Sequence, residues 1–336
     1  VLVQFLSGKI GVGATLAGLP ANFFVYLLGA FVCGFSVCIL NTVVNPMLNL
    51  LGGGGNRGNQ LVQIGGTFNS TLGTLTPMLV GALIGTVTKD TAITDVNTVL
   101  YIAMGVFAVT FLILTFIPFV EPEQEKTDVS VKALLKYKHL VFGVIAIFVY
   151  VGVEVGIPGT LNFFLTDTLG TANAATTAGF VAGTYWFLML IGRFVSSLIS
   201  GKVSSRTQLA VTNAVAIALV IAAMFTTEVQ ASMPVFTGTG FGMAQVPLTA
   251  LLLVCCGLCT SVMWGTIFNL SVEGLGKYSA LASGLFMTMV VGGGVLPLIQ
   301  NAIADATSYM ASYWVVVAAL AYMLWFALFG SKVKKA

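Results

Sequence analysis

The chain has 336 residues, of which 57% are hydrophobic and 7% charged, with a net charge of +3. A soluble domain carries about 25% charge, so this composition excludes one. The excess of +3 does not point to nucleic acid, because the basic residues sit in loops and in the tail.

Apolar runs of roughly 20 residues recur along the chain, each long enough to cross a bilayer. With no water there to satisfy the backbone, such runs must be helices or a closed barrel. Their uninterrupted length favours helices over alternating barrel strands. The expected fold class is therefore an all-α polytopic membrane protein.

In chain order, residues 1–7 read as the tail of a span. The start at Val1, with no cleavage pattern, leads us to expect a truncated front and not a removed signal peptide. A Gly-rich loop follows. Nine complete spans are then predicted near 22–45, 62–85, 98–119, 140–165, 177–200, 208–226, 246–270, 280–303 and 312–330.

The first two spans carry an unusual polar stretch. It runs Asn41-Thr42-Val43-Val44-Asn45-Pro46, then Gly52-Gly53-Gly54-Gly55-Asn56-Arg57-Gly58, then Gly65-Gly66-Thr67-Phe68-Asn69-Ser70, and closes on Pro77. A weaker copy lies further on: Asn269 precedes Gly276 as Asn45 precedes Gly52, and Pro297 closes it. The Asn-to-Pro spacing is 32 in the first copy and 28 in the second, the difference matching the longer turn at Gly53–Asn56. Two parallel copies of one unit are the trace of a transporter built from related halves around a central site.

Lysine and arginine orient the loops. One set of alternate loops holds eleven: Arg57, Lys126, Lys132, Lys136, Lys138, Lys202, Arg206, Lys277, Lys332, Lys334 and Lys335. The other set holds two, Lys9 and Lys89. The richer side is expected to be cytoplasmic, and with it the C-terminus. Residues 121–139 form the one long charged segment and mark the boundary between halves. The expected domains are 1–120, an incomplete N-terminal bundle lacking its first two to three helices; 121–139, a cytoplasmic loop; and 140–336, a six-helix C-terminal bundle. His139, the only histidine, is expected as a solvated residue where this loop re-enters the membrane.

A charge near the bilayer centre costs about 3 kcal/mol or more. Two charged residues lie well inside predicted spans, Glu154 and Arg193. Glu154 sits between Gly152 and Gly156 and before Pro158, in a helix expected to kink or unwind locally. It reads as a cavity carboxylate that binds substrate or a coupling proton, or else as a structural partner of a neighbouring helix. Arg193 is expected to gate or to bind loop carbonyls.

Among neutral groups, Asn69 has Gly65, Gly66 and Gly73 around it, leaving space beside its amide. Asn69 and Asn41 fall opposite Met289 and Gly265 in the second copy, so the shared packing plan does not require them. Both are candidate substrate ligands. Asn45 and Asn269 are preserved by the repeat and read as structural groups that bond freed helix carbonyls. Gln300 and Asn301, just beyond Pro297, are candidates for the outer cavity. Trp186 and Trp264 lie within spans, where a ring could stack on an apolar sugar face or simply pack. Cys33, Cys38, Cys255, Cys256 and Cys259 all lie in apolar runs and read as packing residues. No cofactor or metal is implied, and the residues make no nucleophile–base constellation of an enzyme.

Leu40-Asn41-Thr42-Val43-Val44-Asn45-Pro46, with Gly66-Thr67-Phe68-Asn69-Ser70, resembles the fucose permease and glucose/galactose permease family of the major facilitator superfamily. Its motifs run L-E-T-x-x-N-P and then Q-T-F-N-S. Tyr150-Val151-Gly152-Val153-Glu154-Val155, Tyr185-Trp186, Ile191-Gly192-Arg193-Phe194 and Ser283-Gly284-Leu285 through Leu296-Pro297-Leu298 agree as well. The resemblance implies twelve helices in two pseudo-symmetric bundles, with alternating access for a monosaccharide, often with protons. Two positions depart from it. Asn41 stands where fucose permeases have a membrane glutamate tied to proton coupling, and Gly66 where they have a sugar-binding glutamine.

The expectation is thus an inner-membrane carrier, monomeric in the bilayer, moving a hexose or deoxyhexose with a proton or sodium ion. Asn69 and Asn41 would act from one half and Glu154 from the other. The incomplete chain is not expected to transport by itself. The rivals are an exporter of another metabolite or drug on the same fold, and a non-transporting sugar sensor.

Overall fold

The structure is a computed structural model and describes residues 1–84, 96–117, 131–170, 174–236 and 240–333. The charged segment expected at 121–139 lies outside the described residues as far as 130. Apart from two small hairpins, the described chain is helical. Eight helices among the described residues are long and apolar enough to cross a membrane. α3 (Gly55–Ile84) is 30 residues long, but its amides and glycines keep it out of that set.

Two compact units divide the chain. The first comprises Val1–Val44 and Leu72–Glu125. It holds α1 (Leu2–Ser7), the two-residue strands β1 (Thr15–Leu16) and β2 (Leu19–Pro20), most of α2 (Ala21–Leu51) and α4 (Asn97–Phe116). Phe5 of α1 meets Tyr101 of α4 at 5.1 Å between ring centroids. No residue of α4 is buried, and Phe31 and Phe111 are 71% and 69% exposed. Apolar surface of this extent requires a cover of lipid or of further helices.

The second unit comprises Asn45–Thr71 and Lys126–Ala336. Its helices are α5 (Val131–Leu134), α6 (Lys138–Thr168), α7 (Ala174–Ile199), α8 (Ser205–Met224), α9 (Leu248–Thr260), α10 (Met263–Val272), α11 (Ser279–Thr288), α12 (Gly292–Ala306) and α13 (Tyr309–Trp325). A π-helical turn, Phe326–Gly330, extends α13. The core runs along α6 and includes fully buried Tyr150, Tyr185, Phe268, Phe286 and Tyr313. The end of α2 and the start of α3, residues 45–71, belong to this unit and not to the first.

α6 corrects one expectation. It is a continuous helix of 31 residues with Pro158 inside it, not an unwound one. Its glycines serve packing instead. A Cβ on Gly152 would collide with Leu296, and one on Gly156 with Gln300, both on α12. In return Gly292 of α12 lies against the backbone of Phe148. Small residues facing each other let two membrane helices approach closely. Helical order lapses elsewhere, at Ser261–Val262 between α9 and α10, and at the 3-10 turn Met289–Val291 between α11 and α12.

Two further features depart from the sequence reading. His139 is not solvated: it is 3% exposed, and its Nε2 lies 3.0 Å from the Glu273 carbonyl oxygen. Tyr137 packs edge-on to it and also meets Tyr278, so the turn after α10 folds over the ring. Between α8 and α9 the chain forms an antiparallel hairpin, β3 (Gln230–Phe236) and β4 (Phe241–Pro247), paired from Gln230↔Pro247 to Phe236↔Phe241.

Candidate functional site

The two charges inside the spans come together. Arg193 Nη2 lies 3.4 Å from Glu154 Oε1, with side chains 10% and 13% exposed. This is the one ion pair among the described residues. Either charge alone would be costly among apolar helices; paired, each compensates the other's desolvation. α7 can bring Arg193 here because Gly192 lets it close on α9, where the Ser261 side chain fills the space a Cβ would need.

Arg193 also reaches α3. Its Nη1 donates to Ser70 Oγ at 2.7 Å and to the Gly66 carbonyl at 3.3 Å. A Cβ on Gly66 would lie 3.5 Å from Arg193 Cδ, so the arginine stem runs over the bare backbone of this glycine. The guanidinium therefore joins α6, α7 and α3.

Beneath it, Tyr150 and Tyr185 converge on Thr260, the last residue of α9. Tyr150 Oη donates to the Thr260 carbonyl at 3.3 Å, and Tyr185 Oη lies 2.8 Å from Thr260 Oγ1. Thr260 Oγ1 itself donates to the Cys256 carbonyl at 3.1 Å. The lapse in helical order follows Thr260, and the Tyr150 hydroxyl supplies a donor to its carbonyl. The Val262 carbonyl, which accepts from the Thr266 backbone N–H at 3.2 Å, also accepts from Gln63 Nε2 of α3 at 3.0 Å.

A polar seam thus ties residues 45–71 to the helices of the second unit. Asn49 Nδ2 donates to Asn269 Oδ1 at 3.0 Å, and Asn269 Nδ2 to Ser205 Oγ at 2.9 Å. Asn269 therefore bonds side chains, not the helix carbonyls expected for it. Gln60 Nε2 donates to the Ser197 carbonyl at 2.9 Å. Asn59 is fully buried, with neither amide atom hydrogen-bonded. It faces Gly265, where a Cβ would lie 2.9 Å from Asn59 Oδ1 and 2.8 Å from Gln63 Nε2.

The remaining candidates scatter around this centre. Asn69 is exposed, on α3 beside Ser70. Trp186 is 39% exposed and lies two turns before Arg193 on α7, hence on the same helical face. Trp264 is partly buried and packs on Tyr150 and Phe286 at 6.2 and 6.1 Å. Gln300 is 1% exposed, wedged against Gly156. Asn301 Oδ1 accepts from Thr160 Oγ1 of α6 at 3.1 Å. Asn41 is partly buried on α2, in the first unit. Ser70, Gln63, Gln60, Asn59, Asn49 and Thr260 were not singled out from sequence. Asn59, Gln63, Gly66 and Ser70 do repeat at intervals of four, three and four, a one-sided helical stripe that could have signalled the seam.

Comparison with known proteins bears on this arrangement. The sequence pattern of the Major Facilitator Superfamily matches residues 5–296. The chain is 29% identical over 340 residues to a glucose/galactose transporter of Brucella abortus biovar 1 (strain 9-941), covering 99% of this chain and 78% of that one. It is 31% identical over 326 residues to a putative glucose/galactose transporter of Helicobacter pylori (strain ATCC 700392 / 26695), covering 91% and 74%. It is 22% identical over 350 residues to the L-fucose-proton symporter of Escherichia coli (strain K12), again covering 91% and 74%. In fold it is similar to the crystal structure of FucP in the outward conformation, with a TM-score of 0.77 at 18% identity, covering 99% and 81%.

Proposed function

Because the chain belongs to the Major Facilitator Superfamily, in its fucose and glucose/galactose permease family, we propose that it moves a monosaccharide across the inner membrane by alternating access, coupled to a cation. The observation that carries the reading is the Arg193–Glu154 pair, bridged to α3 through Ser70. An ion pair among apolar helices costs desolvation that an apolar pair would avoid. A site that must exchange partners during a transport cycle has a use for it.

In the proposed cycle, residues 45–71 close the cytoplasmic side while bonded to α7, to α10 and to the Val262 carbonyl. Opening that side breaks the bonds of Asn49, Gln60 and Gln63, and frees Ser70 from Arg193. Asn69 and Trp186 hold the sugar, by amide hydrogen bonds and by ring stacking, while Glu154 exchanges its arginine partner for substrate or a proton. Asn41 has no ionisable group, so coupling is assigned to Glu154. Gln300 and Asn301 hold α12 against α6. The carrier works as a monomer with its C-terminus cytoplasmic, and sodium is the second coupling ion to test.

The experiment uses the full-length protein in proteoliposomes and labelled L-fucose, glucose and galactose, with and without an inside-alkaline gradient. Wild type accumulates one of these sugars on the gradient. Glu154→Gln abolishes accumulation and retains counterflow. Accumulation that survives Glu154→Gln removes Glu154 from coupling, and absence of flux for all three sugars overturns the monosaccharide assignment.

A further inference from the structure

The β3–β4 hairpin has two unlike faces. Met233, Val235 and Val246 point inward and are buried against the α7 and α9 side of the bundle. The outward face changes along its length. Its base carries Ser232 and Gln245, joined by a hydrogen bond of 2.7 Å from Gln245 Nε2 to Ser232 Oγ. Towards the tip come the pairs Pro234↔Met243 and Phe236↔Phe241. Phe241 is 78% exposed, Met243 67% and Phe236 36%. From Val229 to Val272 the sequence has no charged residue. A connection that stood free in water would not combine exposed Phe241 and Met243 near its far end with an absence of charge.

The position of the tip says what covers it. Phe241 packs edge-on to Phe180 of α7, with ring centroids 5.9 Å apart. Phe180 lies four residues inside the apolar segment Thr176–Ile199. At the helical rise of about 1.5 Å per residue, that is roughly 6 Å along the axis from the first residue of the segment. The hairpin therefore lies along the bundle wall, with Phe241 beside the first turns of a helix long and apolar enough to cross a membrane. It cannot go deeper, because both edges of a two-stranded sheet carry unpaired backbone groups that need water or headgroups. Apolar side chains at Phe236, Phe241 and Met243, a polar base and unsatisfied edges fit the headgroup boundary and neither phase alone.

We propose that the β3–β4 hairpin is an interfacial membrane anchor, with Phe236, Phe241 and Met243 seated in the lipid leaflet and Ser232 and Gln245 in the hydrated headgroup layer. The test places a nitroxide at Phe241→Cys, Met243→Cys or Gln245→Cys in a protein whose native cysteines are replaced. Each variant is reconstituted in phosphatidylethanolamine/phosphatidylglycerol vesicles. Accessibility to oxygen, which partitions into lipid, is compared with accessibility to a water-soluble nickel chelate. The expected oxygen-to-nickel ratio at 241 and 243 is several-fold above that at 245. A ratio at 241 equal to that at 245 overturns the proposal, since the tip is then in water. Protection of 241 from both reagents, or a change on adding sugar, also overturns it, in favour of a lid against protein. Retained counterflow in each labelled variant shows that the bundle is intact.

Discussion

Arg193 reaches Glu154, Ser70 and the Gly66 carbonyl because Gly66 offers backbone and no side chain. The contact at Gly66 is an ordinary van der Waals one, 3.5 Å from a hypothetical Cβ to Arg193 Cδ. Gly66→Ala is therefore expected to retain counterflow. Gly66→Gln restores the residue that the family motif carries there, but its longer side chain must displace the guanidinium. It is expected to lower thermal stability by the cost of disturbing a buried pair, up to about 3–5 kcal/mol. Unfolding in detergent checks it, and a Gln variant as stable as the Ala variant would show that Arg193 does not need this space. Glu154 and Arg193 were legible as candidates because ionised groups inside spans are rare. Ser70 was not, because a hydroxyl is tolerated anywhere on a membrane helix once it bonds its own backbone.

At the scale of elements, α6 and α12 meet through glycines. Gly292→Ala puts a methyl where the Phe148 carbonyl stands, and backbone cannot swing aside as a side chain can. The expected loss is about 1–3 kcal/mol, as for overpacking elsewhere. Differential scanning fluorimetry would read it, and Gly294→Ala serves as control, since nothing lies within 4 Å of that position. The long helices were legible because apolar runs of span length leave little choice of structure. The lapse at Ser261–Val262 was hidden, because hydropathy runs through it: Leu248–Val272 is one apolar segment by composition. The β-hairpin was hidden too. Its strands carry Pro234 and Gly242 and lack clean alternation, and the packing of its inner face on α7 and α9 stabilises it. Glycines around Glu154 suggested unwinding from sequence, and only the neighbour α12 shows that they serve close approach.

For the molecule as a whole, the seam between residues 45–71 and the second unit's helices is built of neutral amides, with one arginine. A net intramolecular hydrogen bond contributes about 0.5–1.5 kcal/mol, and a buried unpaired amide costs about 1–3 kcal/mol. Asn59 thus subtracts what one or two of its neighbours add. Asn59→Leu is expected to raise the melting temperature and to slow counterflow, by holding the seam shut. A variant that transports faster would show that Asn59 favours closure. The seam also has a consequence for how transport responds to heat. Exposing apolar surface raises heat capacity, whereas exposing polar surface lowers it. Parting faces lined by Asn49, Gln60, Gln63 and Asn269 changes heat capacity less than parting an apolar interface of equal area. The balance between the closed and open forms should then drift only gently with temperature, leaving the carrier responsive to its gradients across the range its host meets.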